Sequence, residues 1–321
     1  MNVPELDVVA EVRAAEDRIR PHIRETPAEW SPVLSALGGG DVWLKLENLQ
    51  LTGSFKLRGA LAKLLALSDA ERARGVVAAS SGNHGLGVAC GARTLGIQAV
   101  VYVPENASPV KVEAIRAYGA QVRTHGDDCI LSEAEARRCS EETGAVYVSP
   151  YNDAAVLGGQ GTIGVELTRQ LEGADAVFIA VGGGGLLAGV AGWLESVWPA
   201  IEVVACSPEN SCVMHHSIEA GHILDLPSEP TLSDGTAGGL EADTVTLEPC
   251  RRLVDRRVLV TEDEIRDAMR LIVEKHHVLV EGAAGVAVAA WMKTRDRYAG
   301  KRVVIVLCGA NVGLDKLKSV L

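Results

Sequence analysis

Between Ala176 and Leu194 the chain runs through nineteen residues without a charge, long enough on length alone to cross a bilayer. Four consecutive glycines, Gly182–Gly185, stand in the middle of that run. Glycine is among the weakest helix formers, so a block of four divides the segment into a strand, a turn and a following helix. A strand as apolar as Ala-Val-Phe-Ile-Ala-Val must be covered on both faces. That is the environment of a parallel sheet in an α/β protein.

Other segments extend the pattern. Val76–Ala79 leads through a loop into a helix beginning near Gly85, and Ala99–Val103 leads through Pro104 into the amphipathic segment Val110–Tyr118. Ala145–Val148 completes one candidate sheet. A second series comprises Ala176–Val181, Glu202–Ala205 and Val303–Leu307, separated by helical patterns such as Glu262–His276 and Ala283–Trp291. No repeat of 20 to 50 residues interrupts this alternation. The expected architecture is two open parallel-sheet α/β domains facing a cleft. Ligands in such sheets sit beyond the carboxyl ends of the strands, where Ser80–His84, Gly182–Gly185 and Cys308–Asn311 all fall.

Composition narrows the function classes. The 321 residues carry a formal charge of −11, which disfavours a nucleic-acid or anionic-membrane surface. The first twenty residues carry acidic groups where a signal peptide would be basic, so they read as an amphipathic helix and the protein as cytoplasmic. Seven cysteines, without a C-x-x-C pair, read as reduced thiols. His215-His216, His276-His277 and Asp127-Asp128 are adjacent pairs, whereas ligation from a helix needs i, i+3 or i+4 spacing. Surface or capping roles fit them better.

The glycine block offers backbone N–H groups at a helix start, a cup for a phosphate. A dinucleotide fingerprint can be built from Gly183-x-Gly185-x-x-Ala188, but the next strand ends in Ser207 rather than a ribose-binding acid. No G-x-x-x-x-G-K-[ST] motif is present. Lys56 lies between Phe55 and Leu57, and an apolar setting would lower its pKa and free its amine for a Schiff base. Alone, that lysine is also compatible with a solvated surface position.

Its company decides the reading. Ser54-Phe55-Lys56-Leu57-Arg58-Gly59, Ser80-Ser81-Gly82-Asn83-His84-Gly85, the tetraglycine loop and Cys308-Gly309-Ala310-Asn311 resemble, in order and spacing, the fold-type II enzymes that use pyridoxal 5′-phosphate (PLP). The match is nearest to the serine/threonine dehydratase and serine racemase family, and it spans Thr26-Pro27 to Asn311. Threonine synthases look like S-F-K-D-R-G and cysteine synthases like S-V-K-D-R with S-G-N-T-G; here Leu57 and His84 stand at the distinguishing places.

The resemblance implies a tryptophan synthase β-like fold, with residues 1–50 and 151–321 as a large PLP-binding domain and 51–150 as a small domain inserted within it. It implies that Lys56 holds the cofactor as a Schiff base and, once released, removes the Cα proton. Phe55 would pack near the ring, Gly182, Gly183, Gly184, Gly185 and Leu186 would hold the phosphate, and Asn83 would bond the ring 3′-oxygen. Ser80, Ser81, Asn83 and His84 would receive the substrate carboxylate, and Ser81 matches the position of the second acid/base of serine racemases. Cys308 falls beside the pyridine nitrogen. As a neutral thiol it would leave the ring a weaker electron sink, which suits β-elimination better than transamination. Glu281 matches a position near the ring edge, structural or catalytic.

The implied reaction is loss of the β-hydroxyl from a small 3-hydroxy amino acid such as L-threonine or L-serine, with the PLP phosphate or a water supplying the proton. The released enamine would yield a 2-keto acid and ammonia. A racemase, and a more specialised dehydratase such as one met in hydroxyectoine breakdown, are the alternatives within the family; a non-enzymatic binding module would not need Lys56. Relatives that depend on divalent metals carry acidic ligands where this chain has Ser207–Val213 with Glu209 alone, so no metal is expected. The chain ends ten residues after Asn311, which reads as a dehydratase without a regulatory domain, and the family favours homodimers.

Overall fold

In the computed structural model, which describes residues 6–321, the chain folds into two sheets with helices on their faces. The strands are β1 (Ala28–Trp30), β2 (Asp41–Lys45), β3 (Val76–Ala79), β4 (Ala99–Val103), β5 (Gln121–Thr124), β6 (Val146–Tyr147), β7 (Ala176–Ala180), β8 (Glu202–Pro208), β9 (Arg256–Val260) and β10 (Arg302–Val306). One sheet has the order β1-β2-β10-β7-β8-β9, parallel except for the antiparallel β1–β2 pair. The other, β5-β4-β3-β6, is parallel throughout.

Every residue of β7 is buried. The glycines end it where expected, and the helix Gly185–Val197 follows with Gly184 as its N-cap in a left-handed conformation, φ 82°. The Ala/Val-rich helix Gly282–Thr294 is buried from Gly282 to Trp291 and packs on the larger sheet. No helix among the described residues is long and apolar enough to cross a membrane. The N-terminal helix runs Val8–Ile19, capped by Asp7; residues 1–5 of the expected helix lie outside the described residues.

Val76–Ala79, Ala99–Val103 and Glu262–His276 are found with the expected bounds. The other expected strands shift by one residue or shorten, apart from β8, which continues through Pro208. Four strands lack the all-apolar signature. β5 is an edge strand, largely exposed; β9 opens on two arginines; and β1 and β2 read as polar or mixed segments.

The adjacent pairs mostly serve helix ends. Asp128 caps the helix Cys129–Thr143 by accepting from Leu131 N–H at 2.8 Å. His277 ends Glu262–His276 in the left-handed region, φ 56°, alone among the described non-glycine residues. A left-handed L-residue costs about 1–2 kcal/mol. Glycine removes that cost at an unfolded-state penalty of roughly 0.5–1 kcal/mol. His277→Gly is therefore expected to stabilise the fold by about 0.5–1 kcal/mol, read as a rise in the thermal or urea midpoint.

Candidate active site

A cleft of about 390 Å³ opens between the carboxyl ends of β3, β7 and β10. Lys56 enters it from the first position of the helix Lys56–Ala66. The preceding segment is fastened to the end of β10: Phe55 N–H donates to the Cys308 carbonyl at 3.1 Å, and Ala310 N–H donates to the Gly53 carbonyl at 2.8 Å. The Lys56 ammonium donates to the Pro150 carbonyl at 2.9 Å and lies 5.2 Å from the Phe55 ring centroid. Burial pushes its pKa down to about 8, with Cys308 and Glu281 opposing the shift. A neutral amine is thus within reach near neutral pH.

Two residues further on, Arg58 anchors the same helix in a buried charge network. Its guanidinium donates to Glu47 at 2.8 Å and to both oxygens of Glu166 at 2.8 Å. Lys45 donates to Glu166 at 2.6 Å. All four side chains are fully buried, and at the rim the partly exposed Arg20, paired with Glu16, also reaches Glu166 at 2.8 Å. Thr26 and Thr162 supply further hydroxyl bonds. The network ties β2 and the helices Lys56–Ala66 and Ala154–Gln170 together behind the cleft.

The glycine loop faces Lys56 across the cleft. The Gly183 carbonyl accepts from the Thr246 hydroxyl at 2.7 Å, and the Gly184 carbonyl accepts from Ala188 N–H at 2.9 Å and the Cys250 thiol at 3.6 Å. In a trans peptide the next N–H points the opposite way, so Gly184 and Gly185 present their N–H groups away from Thr246 and Cys250. The helix they start has no side-chain cap. A Cβ on Gly182 would meet Thr236 backbone at 2.8 Å, and one on Gly183 would run into the Tyr151 ring. Bare backbone, open N–H groups and a helix N-terminus fit a phosphate.

The helix Asn83–Leu95 also begins at the cleft without a side-chain cap; Ser80 Oγ is instead occupied by Gly82 N–H at 3.1 Å. Ser81 lines the cleft beside it. Asn83 is held deeper, donating from Nδ2 to Glu281 at 2.7 and 2.9 Å and accepting from Asn311 Nδ2 at 2.6 Å. Glu281 is 4 % exposed; burial raises its pKa, against the bonds from Asn83 and Asn311 N–H. Cys308 is buried, and burial, then Glu281, raises its thiol well above the ordinary value. A neutral thiol therefore stands at the end of β10. Leu186 packs under the loop in the core.

The cleft brings together all the residues singled out in the four motifs: Phe55 and Lys56, Ser80 to His84, the glycine loop with Leu186, and Cys308. Sequence reasoning missed Tyr151, Pro150 and the Asp234–Gly239 wall. The run Ser233-Asp234-Gly235-Thr236-Ala237-Gly238-Gly239 was a visible signal for that wall. In the Ser207–Val213 stretch, Ser207 donates to the Val181 carbonyl at 3.4 Å and Ser211 accepts from Gly238 N–H at 3.1 Å. These contacts tie the stretch to the cleft wall.

Residues 19–309 match the pyridoxal-phosphate dependent enzyme family. The chain is 41% identical over 313 residues to the L-threonine ammonia-lyase of Thermotoga maritima, covering 97% of this chain and 77% of the relative. It is 38% identical to the catabolic L-threonine dehydratase of Escherichia coli K12, covering 97% and 95%. Maize serine racemase superposes with a TM-score of 0.91 at 34% identity, over 97% of this chain and 95% of that one. On these likenesses the chain belongs to the pyridoxal-phosphate dependent enzyme family, in its fold-type II serine/threonine dehydratase and serine racemase branch.

Proposed function

We propose that the protein removes water from a small 3-hydroxy amino acid, such as L-threonine or L-serine, and releases a 2-keto acid and ammonia. The observation that carries this reading is a desolvated Lys56 amine set between two uncapped helix N-termini. The relatives named as threonine ammonia-lyase and threonine dehydratase support it. Incubation with L-threonine and L-serine, with keto acid and ammonia measured together, tests it; absence of both products from the cofactor-loaded protein overturns it.

Bound at the glycine loop, PLP supplies the electron sink that acidifies the α-proton of an amino acid. Gly182 to Gly185 and Leu186 would hold its phosphate, Phe55 and Asn83 would flank it, and Glu281 fixes the Asn83 amide. Lys56 would tether the cofactor and, as a neutral amine, would accept the α-proton at Nζ. The N–H groups of Ser81, Asn83 and His84 at the uncapped helix start, with the Ser80 hydroxyl, would receive the carboxylate, helped by the helix dipole. Cys308 places a neutral thiol at the end of β10, beside the buried Glu281.

Ser81 bears on the second reading, racemisation, for which the likeness to maize serine racemase speaks. Racemisation needs a group opposite Lys56 that can return the proton, and a serine does this only through a network that accepts it. Dehydration is expected to dominate, and Ser81→Ala is expected to suppress inversion more than keto-acid formation. Chiral chromatography of time courses with L- and D-substrate measures both; inversion outrunning keto-acid production in the wild type would favour the racemase.

Residues 1–50 and 151–321 are proposed as the large domain and 51–150 as the small one. A homodimer is proposed on the exposure of Trp30, Leu49 and Leu279, and a cytoplasmic location on the acidic residues in the first twenty. Ser31 bonds His276 at 3.1 Å and Asn48 bonds the Leu279 carbonyl at 3.1 Å, which places these apolar side chains on neighbouring segments. Sedimentation or light scattering reads the oligomer directly.

A further inference from the structure

His84 lies in the first turn of the helix Asn83–Leu95, buried, with its ring on the cleft wall. Its Nε2 is 2.7 Å from the Val148 carbonyl oxygen. A carbonyl can only accept, so Nε2 carries the hydrogen. Burial, then the charge of Lys56, pushes the imidazole pKa down to about 3 in spite of the Val148 bond. The ring is therefore neutral, and Nδ1 is a bare lone pair. No described residue makes a hydrogen bond to it.

One short segment seats both groups. The carbonyls of Val148 and Pro150 hold His84 and Lys56 respectively, so imidazole and amine are neighbours on the same wall. A substrate amino acid brings three polar groups to this place. Its α-carboxylate accepts only and would be repelled by a lone pair, and its α-amino group is committed to the cofactor. The β-hydroxyl alone remains free to donate.

We propose that His84 Nδ1 accepts the hydrogen bond of the substrate's β-substituent, and so selects amino acids whose Cβ carries a donor, a hydroxyl above all. This rests on the elimination reading and names the residue that specifies its leaving group. With the hydroxyl hydrogen held by His84, the oxygen lone pairs turn away from the ring and toward the source of the proton that departs as part of water. His84 is not that source, because its single N–H is spent on Val148.

The test compares L-serine with β-chloro-L-alanine, which can undergo the same elimination but has no donor on Cβ. In His84→Gln the amide nitrogen reaches the place of Nε2 and keeps the Val148 bond but offers nothing at Nδ1; in His84→Asn the amide oxygen takes the place of Nδ1. One lost hydrogen bond predicts that H84Q loses roughly tenfold in kcat/KM on L-serine, with less than about threefold loss on β-chloro-L-alanine, and that H84N recovers the preference. Nitrogen-15 NMR of the histidine-labelled holoenzyme should show His84 as the Nε2–H tautomer, unchanged between pH 6 and 8 (roughly the range in which an unperturbed imidazole titrates). Equal losses on both substrates, or a ring protonated at Nδ1, overturn the assignment while leaving elimination standing. Failure of the wild type to eliminate either substrate overturns both.

Discussion

Lys56→Ala is expected to lose about 10⁴-fold in keto-acid production, the upper end of what a positioned acid/base supplies, because both the tether and the base are removed at once. The wild-type holoenzyme should absorb at the edge of the visible and, after borohydride reduction, carry the cofactor mass on the peptide containing Lys56. The variant should do neither. The physical ground is the position of the amine: it reaches the cleft from a helix start bolted to β10 through Phe55 and Gly53, and its pKa is already down to about 8. A variant that retains normal turnover, or a reconstituted wild type that binds no cofactor, would end the assignment.

The second large effect concerns the buried charges. Glu166→Gln leaves the buried Lys45 and Arg58 with Glu47 as their one fully buried carboxylate and takes a partner from Arg20, and breaking a buried pair from one side costs about 3–5 kcal/mol. Urea unfolding should show this as a lower midpoint at an unchanged slope. Glu142→Gln, which breaks an exposed pair with Arg138, should move the midpoint little. Acid provides an independent check. Burial pushes the Glu166 pKa up, but Arg58 and then Lys45 outweigh it and hold the group well below its ordinary value of 4.5. A depressed folded-state pKa means the contribution is complete above that ordinary value and is lost as pH falls below it toward the folded-state value. The wild type should therefore lose stability on acidification below about pH 4.5 more steeply than E166Q, an onset set by the ordinary carboxylate range.

What the sequence made legible was what composition writes locally. An all-apolar run closed by four glycines announces β7 and the turn after it without any knowledge of the tertiary fold, whereas Lys56 was singled out only by the company of the other motifs. Charges with distant partners were not legible. Lys45, Glu47, Arg58 and Glu166 look like surface residues along the chain, and only the convergence of three elements reveals that they neutralise one another. The strands β5 and β9 escaped for a related reason: edge strands keep polar side chains in water, so their pattern does not announce burial. Asn83 was read as a ligand of the cofactor, but its grip on Glu281 and Asn311 depends on loops 198 and 228 residues away. The orientation of His84 was likewise set by a carbonyl, Val148, that carries no side-chain signal.

The order of strands has a consequence for how the chain is made. β3 to β6 lie together between Val76 and Tyr147, so the smaller sheet can close as soon as that stretch leaves the ribosome. β2 waits. Its parallel partner β10 pairs Arg302 with Asp41, a separation of 261 residues, and closure over such distances is the slow kind. During synthesis the β1–β2 hairpin therefore carries an open edge while everything needed to cover it is still being translated. The segment before Lys56 docks on Gly309 and Cys308, beyond that same last strand. A nascent chain can thus display the lysine early, but the segment before it gains its seat only once residues 302–310 have been made.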